Sequence, residues 1–300
     1  MELTYTDNVN DSKIKLLKDN SKMIYHPYYY KCLLDKDSNV KIYNHGYKVI
    51  STQKEFETFF GKNKNYNEYI NIINSLNSLY SENNLEFGGG IRGQCILKRL
   101  KPNVLTNNSK IFNALYEKLL PSIERNIFNT KIKVIDINAY KNCIHNVKEG
   151  HSSWLWHFDN HPNEMIKMMI YLTDVDEESS PFEILVDSNN DKPIRLNSNR
   201  IFEHDWKESE PFQYFSGQYN GNRISDNDIK NLLNNGYKTK KIYGKKGTII
   251  LFSENIIHKA TYPKTKERNV VNTVLSSSIK SSHNINNSIS NPNKYIWYIE

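Results

Sequence analysis

Near residue 131 the spacing of apolar residues changes. Before it, apolar residues recur every three or four positions. The stretch 53–60 carries Phe56, Phe59 and Phe60, and 66–80 carries Ile70, Ile73, Leu76, Leu79 and Tyr80. In 110–128 the same spacing joins Ile111, Phe112, Leu115, Leu119 and Ile123, with Pro121 expected to end or kink the helix. After the boundary come short runs rich in β-branched residues at 131–140, 165–172, 248–252 and 268–275. Helices first and strands after fit an α+β chain, with a helical N-terminal half buttressing a C-terminal β-sandwich or barrel.

No Pro/Gly/Ser linker separates the halves, so the 300 residues are expected to form a single domain. Its parts are mainly helical support at 1–130, a β core at 131–278, a long polar insert at 176–246 and a Ser/Asn-rich tail at 279–300. The insert should contain a short helix from Ser225, with Asp228 in the capping-box position. Tyr25-His26-Pro27-Tyr28-Tyr29-Tyr30 reads as an aromatic packing segment. Gly88-Gly89-Gly90-Ile91-Arg92-Gly93 reads as a loop and lacks a phosphate-binding fingerprint. Gly244-Lys245-Lys246-Gly247-Thr248 has the wrong order for a Walker A loop.

Cys32, Cys95 and Cys143 are three widely spaced cysteines without a CxxC, so reduced thiols and a cytoplasmic setting are expected. The first residues have neither the basic nor the apolar region of a signal peptide, and no apolar run approaches a membrane span. The formal net charge of +7 favours anionic partners. The lysines are dispersed, which fits a solvated surface and argues against a nucleic-acid groove.

The chemistry-bearing residues sit among the strands. In an extended segment, residues i and i+2 point to one side, so His157 and Asp159 in Trp156-His157-Phe158-Asp159-Asn160 would aim at a common point. Imidazole and carboxylate together suit a metal of the Fe(II) type, with positions left open for chemistry. His258, just past the apolar run 247–253, is the candidate third ligand. Arg268 follows ten residues later and opens another apolar strand. An arginine turned into a barrel is costly unless it meets a buried anion, and its planar fork suits a carboxylate. Arg268 is therefore the candidate anchor for a dicarboxylic cosubstrate. His151 and His161 flank the motif as weaker alternatives for a different metal set. His161 also reads as a substrate contact or a surface-loop residue. Lys167 and Tyr171 share a face of the next strand and are candidates for the pocket.

The set His157-x-Asp159, His258 and Arg268 resembles the iron- and 2-oxoglutarate-dependent dioxygenases. Met168 to Val175, followed by Glu177-Glu178-Ser179-Ser180-Pro181-Phe182, resembles the phytanoyl-CoA dioxygenase-like (PhyH-like) branch, as does the strand before His258. The resemblance covers roughly residues 132–278. This chain has Ser180 where a Gly often precedes the Pro, and its insert is long. The resemblance implies a double-stranded β-helix, or jelly-roll, core. It implies Fe(II) held by His157, Asp159 and His258, with 2-oxoglutarate as cosubstrate paired to Arg268. It also implies consumption of O2, release of succinate and CO2, and hydroxylation of a substrate C–H bond. Asn138 and Tyr140 share a strand face, and the resemblance places an Asn-x-Tyr pair there as a 2-oxoglutarate contact. They also read as a polar pair satisfied in the core. Related halogenases replace the carboxylate ligand with a small residue, so Asp159 favours hydroxylation or another oxidation over halogenation.

The leading expectation is an oxygenase of a small metabolite with a phosphate or carboxylate handle, selected by a lid at 176–246. The alternatives are an oxygenase of a protein side chain or nucleic-acid base, and a non-catalytic jelly-roll binding protein.

Overall fold

The computed structural model of the protein describes residues 46–91, 93–128, 132–146, 152–159, 165–196 and 223–277. The Tyr25–Tyr30 cluster, Cys32, His151, His161 and the tail lie outside the described residues, as does the middle of the insert.

Among the described residues, ten strands form two antiparallel sheets. They are β1 (Tyr47–Ile50), β2 (Leu85–Ile91), β3 (Gln94–Leu100), β4 (Ile132–Asn142), β5 (Ile166–Tyr171), β6 (Phe182–Asp187), β7 (Tyr237–Ile242), β8 (Ile249–Ser253), β9 (His258–Ala260) and β10 (Arg268–Ser277). The large sheet runs β1-β8-β5-β10-β4-β3-β2 and the small one β7-β6-β9. The chain passes from large to small sheet between β5 and β6 and between β8 and β9, and back between β7 and β8 and between β9 and β10. This is the expected jelly-roll core.

Period-two alternation makes the large sheet a middle layer. Met168 and Ile170 of β5, Ile249 and Leu251 of β8, and Val271 and Leu275 of β10 face one core cluster. There they meet helices α1 (Gln53–Phe60), α2 (Tyr66–Ser78), α3 (Pro102–Asn107) and α4 (Ser109–Ile123). Met169, Tyr171, Ile250, Phe252 and Val270 face the other way, onto Phe182, Ile184 and Val186 of the small sheet. Outside the small sheet, Leu185, Ile257, Trp156 and Phe158 pack with Ile229 of α5 (Asp226–Asn234).

The helices follow their sequence signals closely. Thr52 caps α1 reciprocally with Glu55. Ser225 caps α5: its hydroxyl accepts from the Asp228 amide at 3.1 Å and donates to the Asp228 carboxylate at 2.6 Å. Pro121 does not end α4, which runs on to Ile123 and widens into a π-helical turn at Glu124–Phe128. Proline lacks the amide that would bond one turn back, and the wider turn follows that gap.

Three expectations need correction. Residues 1–130 are not helical support alone, because β1, β2 and β3 extend the large sheet at both edges. The glycine run is not a loop, since Gly88–Gly90 lie within β2. Register shifts against β3 occur around Gly89, and a Cβ on Gly88 would stand 2.3 Å from Leu97 Cδ2. Glycine here permits an irregular strand in close approach, a bulge signal that reads like a turn signal in sequence. The insert 176–246 is not simply a lid, because it holds β6 and β7, two of the three strands of the small sheet. Tyr237-Lys238-Thr239-Lys240-Lys241-Ile242 has too thin an apolar face to read as a strand from sequence.

The Lys-Gly-Thr decoy is a turn into β8. Gly247 has φ +90°, its carbonyl accepts from the Tyr69 hydroxyl at 2.8 Å, and an added Cβ would stand 2.8 Å from Ile70 Cδ1. Helix α4 is tied to the sheet by Tyr116, whose hydroxyl lies 2.8 Å from Thr273 Oγ1 with both residues fully buried. Tyr116→Phe keeps the ring but strands the threonine hydroxyl. It should lower stability by about 1–3 kcal/mol, read as a lower urea midpoint at unchanged slope.

Candidate metal centre

His157 and His258 are brought together by backbone pairing. Each amide donates to the other's carbonyl, at 3.0 Å from His157 and 2.8 Å from His258. Residues paired this way in antiparallel chains put their side chains on one face. The imidazole centroids are 4.3 Å apart. Asp159 is held by its own amide, which donates to the Glu254 carbonyl at 2.8 Å. The turn after β8 thus fixes Asp159 and leads directly to His258.

Donor atoms of His157, Asp159 and His258 lie within 4.8 Å of one another. His157 Nε2 is 3.9 Å from Asp159 Oδ1, and His258 Nε2 is 3.6 Å from Asp159 Oδ2. The two imidazoles share a local geometry. His157 Nδ1 is 2.7 Å from the Leu155 carbonyl and His258 Nδ1 is 2.8 Å from that of Ile256. A carbonyl only accepts, so Nδ1 carries the proton and Nε2 turns its lone pair toward Asp159. Burial holds the His157 pKa well below the ordinary histidine value, helped by neighbouring His258 and opposed by Asp159. Burial also lowers that of His258, again opposed by Asp159. Both rings are therefore neutral near pH 7, the state that coordinates a cation.

The inner face of the large sheet leads away from this cluster in rungs set by register. Asp136, Val274, Lys167 and Phe252 form one rung; Asn138, Asn272, Met169 and Ile250 the next; Tyr140, Val270 and Tyr171 the third. Asn142 and Arg268 close the series. Asn138 and Tyr140 therefore stand between the Lys167 rung and Arg268. Lys167 reaches Asp159 Oδ2 at 2.6 Å. The Tyr171 hydroxyl donates to the Ile242 carbonyl at 2.9 Å and accepts from the Phe182 amide at 3.2 Å, joining the two sheets.

Arg268 is 1% exposed, and its guanidinium lies 5.7 Å from the Tyr171 ring centroid. Its Nε and Nη1 have no hydrogen-bond partner among the described residues. A buried cation with open donors fits an anionic ligand.

Three neighbours were not among the expected site residues, and two of them carried no sequence signal strong enough to single them out. Glu254 is fully buried with Oε2 3.6 Å from Lys167 Nζ, yet an acid in a turn reads as surface. Arg223 pairs with His157 in an isolated bridge, a contact only the folded chain creates. Asp136 was legible as the first member of the alternation Asp136-x-Asn138-x-Tyr140, and burial raises its pKa. Ser180 has φ 61°, the conformation a glycine would supply, and its hydroxyl is held by Asn142 Nδ2 at 2.9 Å and by the Thr261 carbonyl. Side-chain bonds thus secure a backbone shape that serine adopts reluctantly. His151 and His161 lie outside the described residues.

Residues 101–270 match the protein family described as phytanoyl-CoA dioxygenase (PhyH). The chain belongs to that family. It is an enzyme of the dioxygenase type, and iron and 2-oxoglutarate are the cofactor and cosubstrate of this class. The buried His-Asp-His donors fit the metal, and the open nitrogens of Arg268 fit the dicarboxylate. No curated protein matches the sequence. Among solved structures, the non-heme α-ketoglutarate-dependent epimerase SnoN from nogalamycin biosynthesis is similar at 9% identity and TM-score 0.49, covering 81% of this chain and 80% of SnoN. EctD from S. alaskensis is similar at 10% identity and TM-score 0.47, covering 83% and 82%. HygX from Streptomyces hygroscopicus, solved with nickel, 2-oxoglutarate and hygromycin B, is similar at 12% identity and TM-score 0.42, covering 83% and 89%. No helix among the described residues is long and apolar enough to cross a membrane.

A metal bound at this cluster stabilises the folded chain by mass action, about 2.7 kcal/mol at a hundredfold excess over Kd. Anaerobic Fe(II) or Co(II) should raise the melting temperature of the wild type and leave that of His258→Ala unmoved. An equal shift in the variant would remove His258 from the site.

Proposed function

We propose that this protein is an iron- and 2-oxoglutarate-dependent hydroxylase of a small molecule, with His157, Asp159 and His258 as iron ligands and Arg268 as the anchor of the distal 2-oxoglutarate carboxylate. The observation that carries the reading is Arg268, buried on the inner face with Nε and Nη1 open. A dicarboxylate spanning from the metal to this guanidinium would answer both needs at once. Bound iron, with 2-oxoglutarate and O2, supplies the oxidising power that turns a substrate C–H bond into an alcohol while 2-oxoglutarate becomes succinate and CO2.

The chain's own residues bind, orient and exclude water. The Nδ1–H···O=C bonds of His157 and His258 lock each ring with Nε2 directed to the donor cluster. Tyr171 sets the floor under Arg268, and its two backbone bonds keep the sheets at fixed separation there. Asn138 and Tyr140 offer polar groups along the path from Arg268 to the metal, which supports their assignment as cosubstrate contacts. Phe182, Ile184, Phe252 and Ile250 pack between the two sheets beside these groups, an apolar surrounding that would exclude water. The carboxylate of Asp159 favours hydroxylation over halogenation.

An anionic handle on the substrate is supported by Arg223. Its bridge to His157 puts its side chain on the face of that imidazole, and its charge acts on Asp159. The segment 197–222 that leads into Arg223 is the remaining candidate for substrate selection.

The test is spectroscopic and chemical. Anaerobic Fe(II) with 2-oxoglutarate should give a visible metal-to-ligand charge-transfer band, and O2 should then yield succinate. Arg268→Ala should need at least ~10-fold more 2-oxoglutarate for half the band, as expected for loss of a bidentate charged contact. A wild type without the band, or an Arg268→Ala variant with unchanged dependence, overturns the corresponding assignment.

A further inference from the structure

Lys167 stands where a metal centre has little use for another cation. It lies on the inner face of β5, and its ammonium is 2.6 Å from Asp159 Oδ2 and 3.6 Å from Glu254 Oε2. The Lys167 and Asp159 side chains are each 15% exposed and that of Glu254 is fully buried, so water screens the triad little. Burying an ammonium costs several kcal/mol unless acids meet it. Here two do, and both belong to segments that carry metal donors. Asp159 is itself a donor, and Glu254 sits four residues before His258 in the turn whose carbonyl holds the Asp159 amide.

We propose that Lys167 is a positioning residue: by holding one oxygen of Asp159 it leaves that carboxylate a single oxygen for the metal, and so keeps room in the coordination shell for the cosubstrate. The inference rests on the functional reading above. A carboxylate can meet a dication through one oxygen or through both. A charge-assisted bond to one oxygen, as short as the Lys167 contact, favours the one-oxygen mode. Without it, Asp159 is free to turn both oxygens to the metal and take a position that a facial two-His, one-carboxylate site otherwise leaves open. Glu254 serves this role by steadying the ammonium from the other side. A purely structural ion pair would instead affect folding and leave cosubstrate binding alone.

Lys167→Met removes the donor at similar length, and Lys167→Arg keeps a cation able to reach the same oxygen. Lys167→Met with Glu254→Gln also neutralises the buried acid that faced the ammonium, which keeps the comparison available if the single variant folds poorly. Each folded protein is titrated anaerobically with Mn(II) to read metal affinity, then with 2-oxoglutarate in the presence of Fe(II) to read the charge-transfer band. The expected result is retained metal binding in both Met variants, at least ~10-fold more 2-oxoglutarate for half the band, as is typical when a partner of a metal ligand is lost, and recovery in Lys167→Arg. A Met variant that titrates with 2-oxoglutarate as the wild type does overturns the inference while the hydroxylase reading stands. Loss of Mn(II) binding also overturns it, because the ammonium would then be needed to hold the site together. A wild type without the band overturns the hydroxylase reading and this inference with it.

Discussion

A buried guanidinium with two open nitrogens, inside a jelly roll, is the constraint around which this structure is arranged. A lysine or histidine can shed its proton to escape burial, but a guanidinium cannot. Arg268 must therefore be compensated in place, and its Nε and Nη1 are not. The surrounding walls are built to keep it there. Strand β10 runs between β4 and β5: Arg268, which opens it, pairs with Asn142 of β4, and the β5 ladder begins two residues on at Val270. Tyr171 lies against it and is pinned to the small sheet by both bonds of its hydroxyl. A fold that holds a cation so firmly with no acid bonded to Nε or Nη1 among the described residues is poised for an anion from solution.

The metal cluster is the opposite kind of site. Its charges already meet one another: Asp159 with Lys167, Lys167 with Glu254, and the two neutral imidazoles beside them. What makes it receptive is direction. Mutual backbone bonds between His157 and His258, and the bond from Asp159 to Glu254, set three donors on one side before any cation arrives. The middle-layer sheet links the two sites. Its outer face is spent on the helices, which leaves its inner face free to carry Asp136, Asn138 and Tyr140 between them.

Much of this was legible because strong signals coincided. Strands β4, β5, β8 and β10 announce themselves by β-branched runs. His157 and Asp159 obey strand periodicity, and Arg268 is conspicuous at the head of an apolar strand. The rest depends on through-space relations that a linear reading does not carry. The strands β6 and β7 hide in a long polar insert, where β7 is mostly lysine and threonine and gives the short apolar run of β6 no legible partner. The glycines of β2 imitate a turn because bulges and turns ask the same freedom of the backbone. Glu254 and Arg223 look like surface charges until the chain folds back and sets them beside Lys167 and His157. Ser180 departs from the glycine of related sequences, and only the structure reveals Asn142 and Thr261 holding it in the left-handed conformation.

The central claim is that one cavity joins a three-donor metal site to a waiting guanidinium through a single dicarboxylate. Crystals grown anaerobically with Fe(II) and 2-oxoglutarate, with anomalous data at the iron edge, test it most directly. The account predicts an iron peak shared by His157 Nε2, His258 Nε2 and Asp159, and a distal carboxylate paired with Nε and Nη1 of Arg268. Iron bound elsewhere, or a cosubstrate carboxylate that leaves Arg268 unpaired, would contradict it.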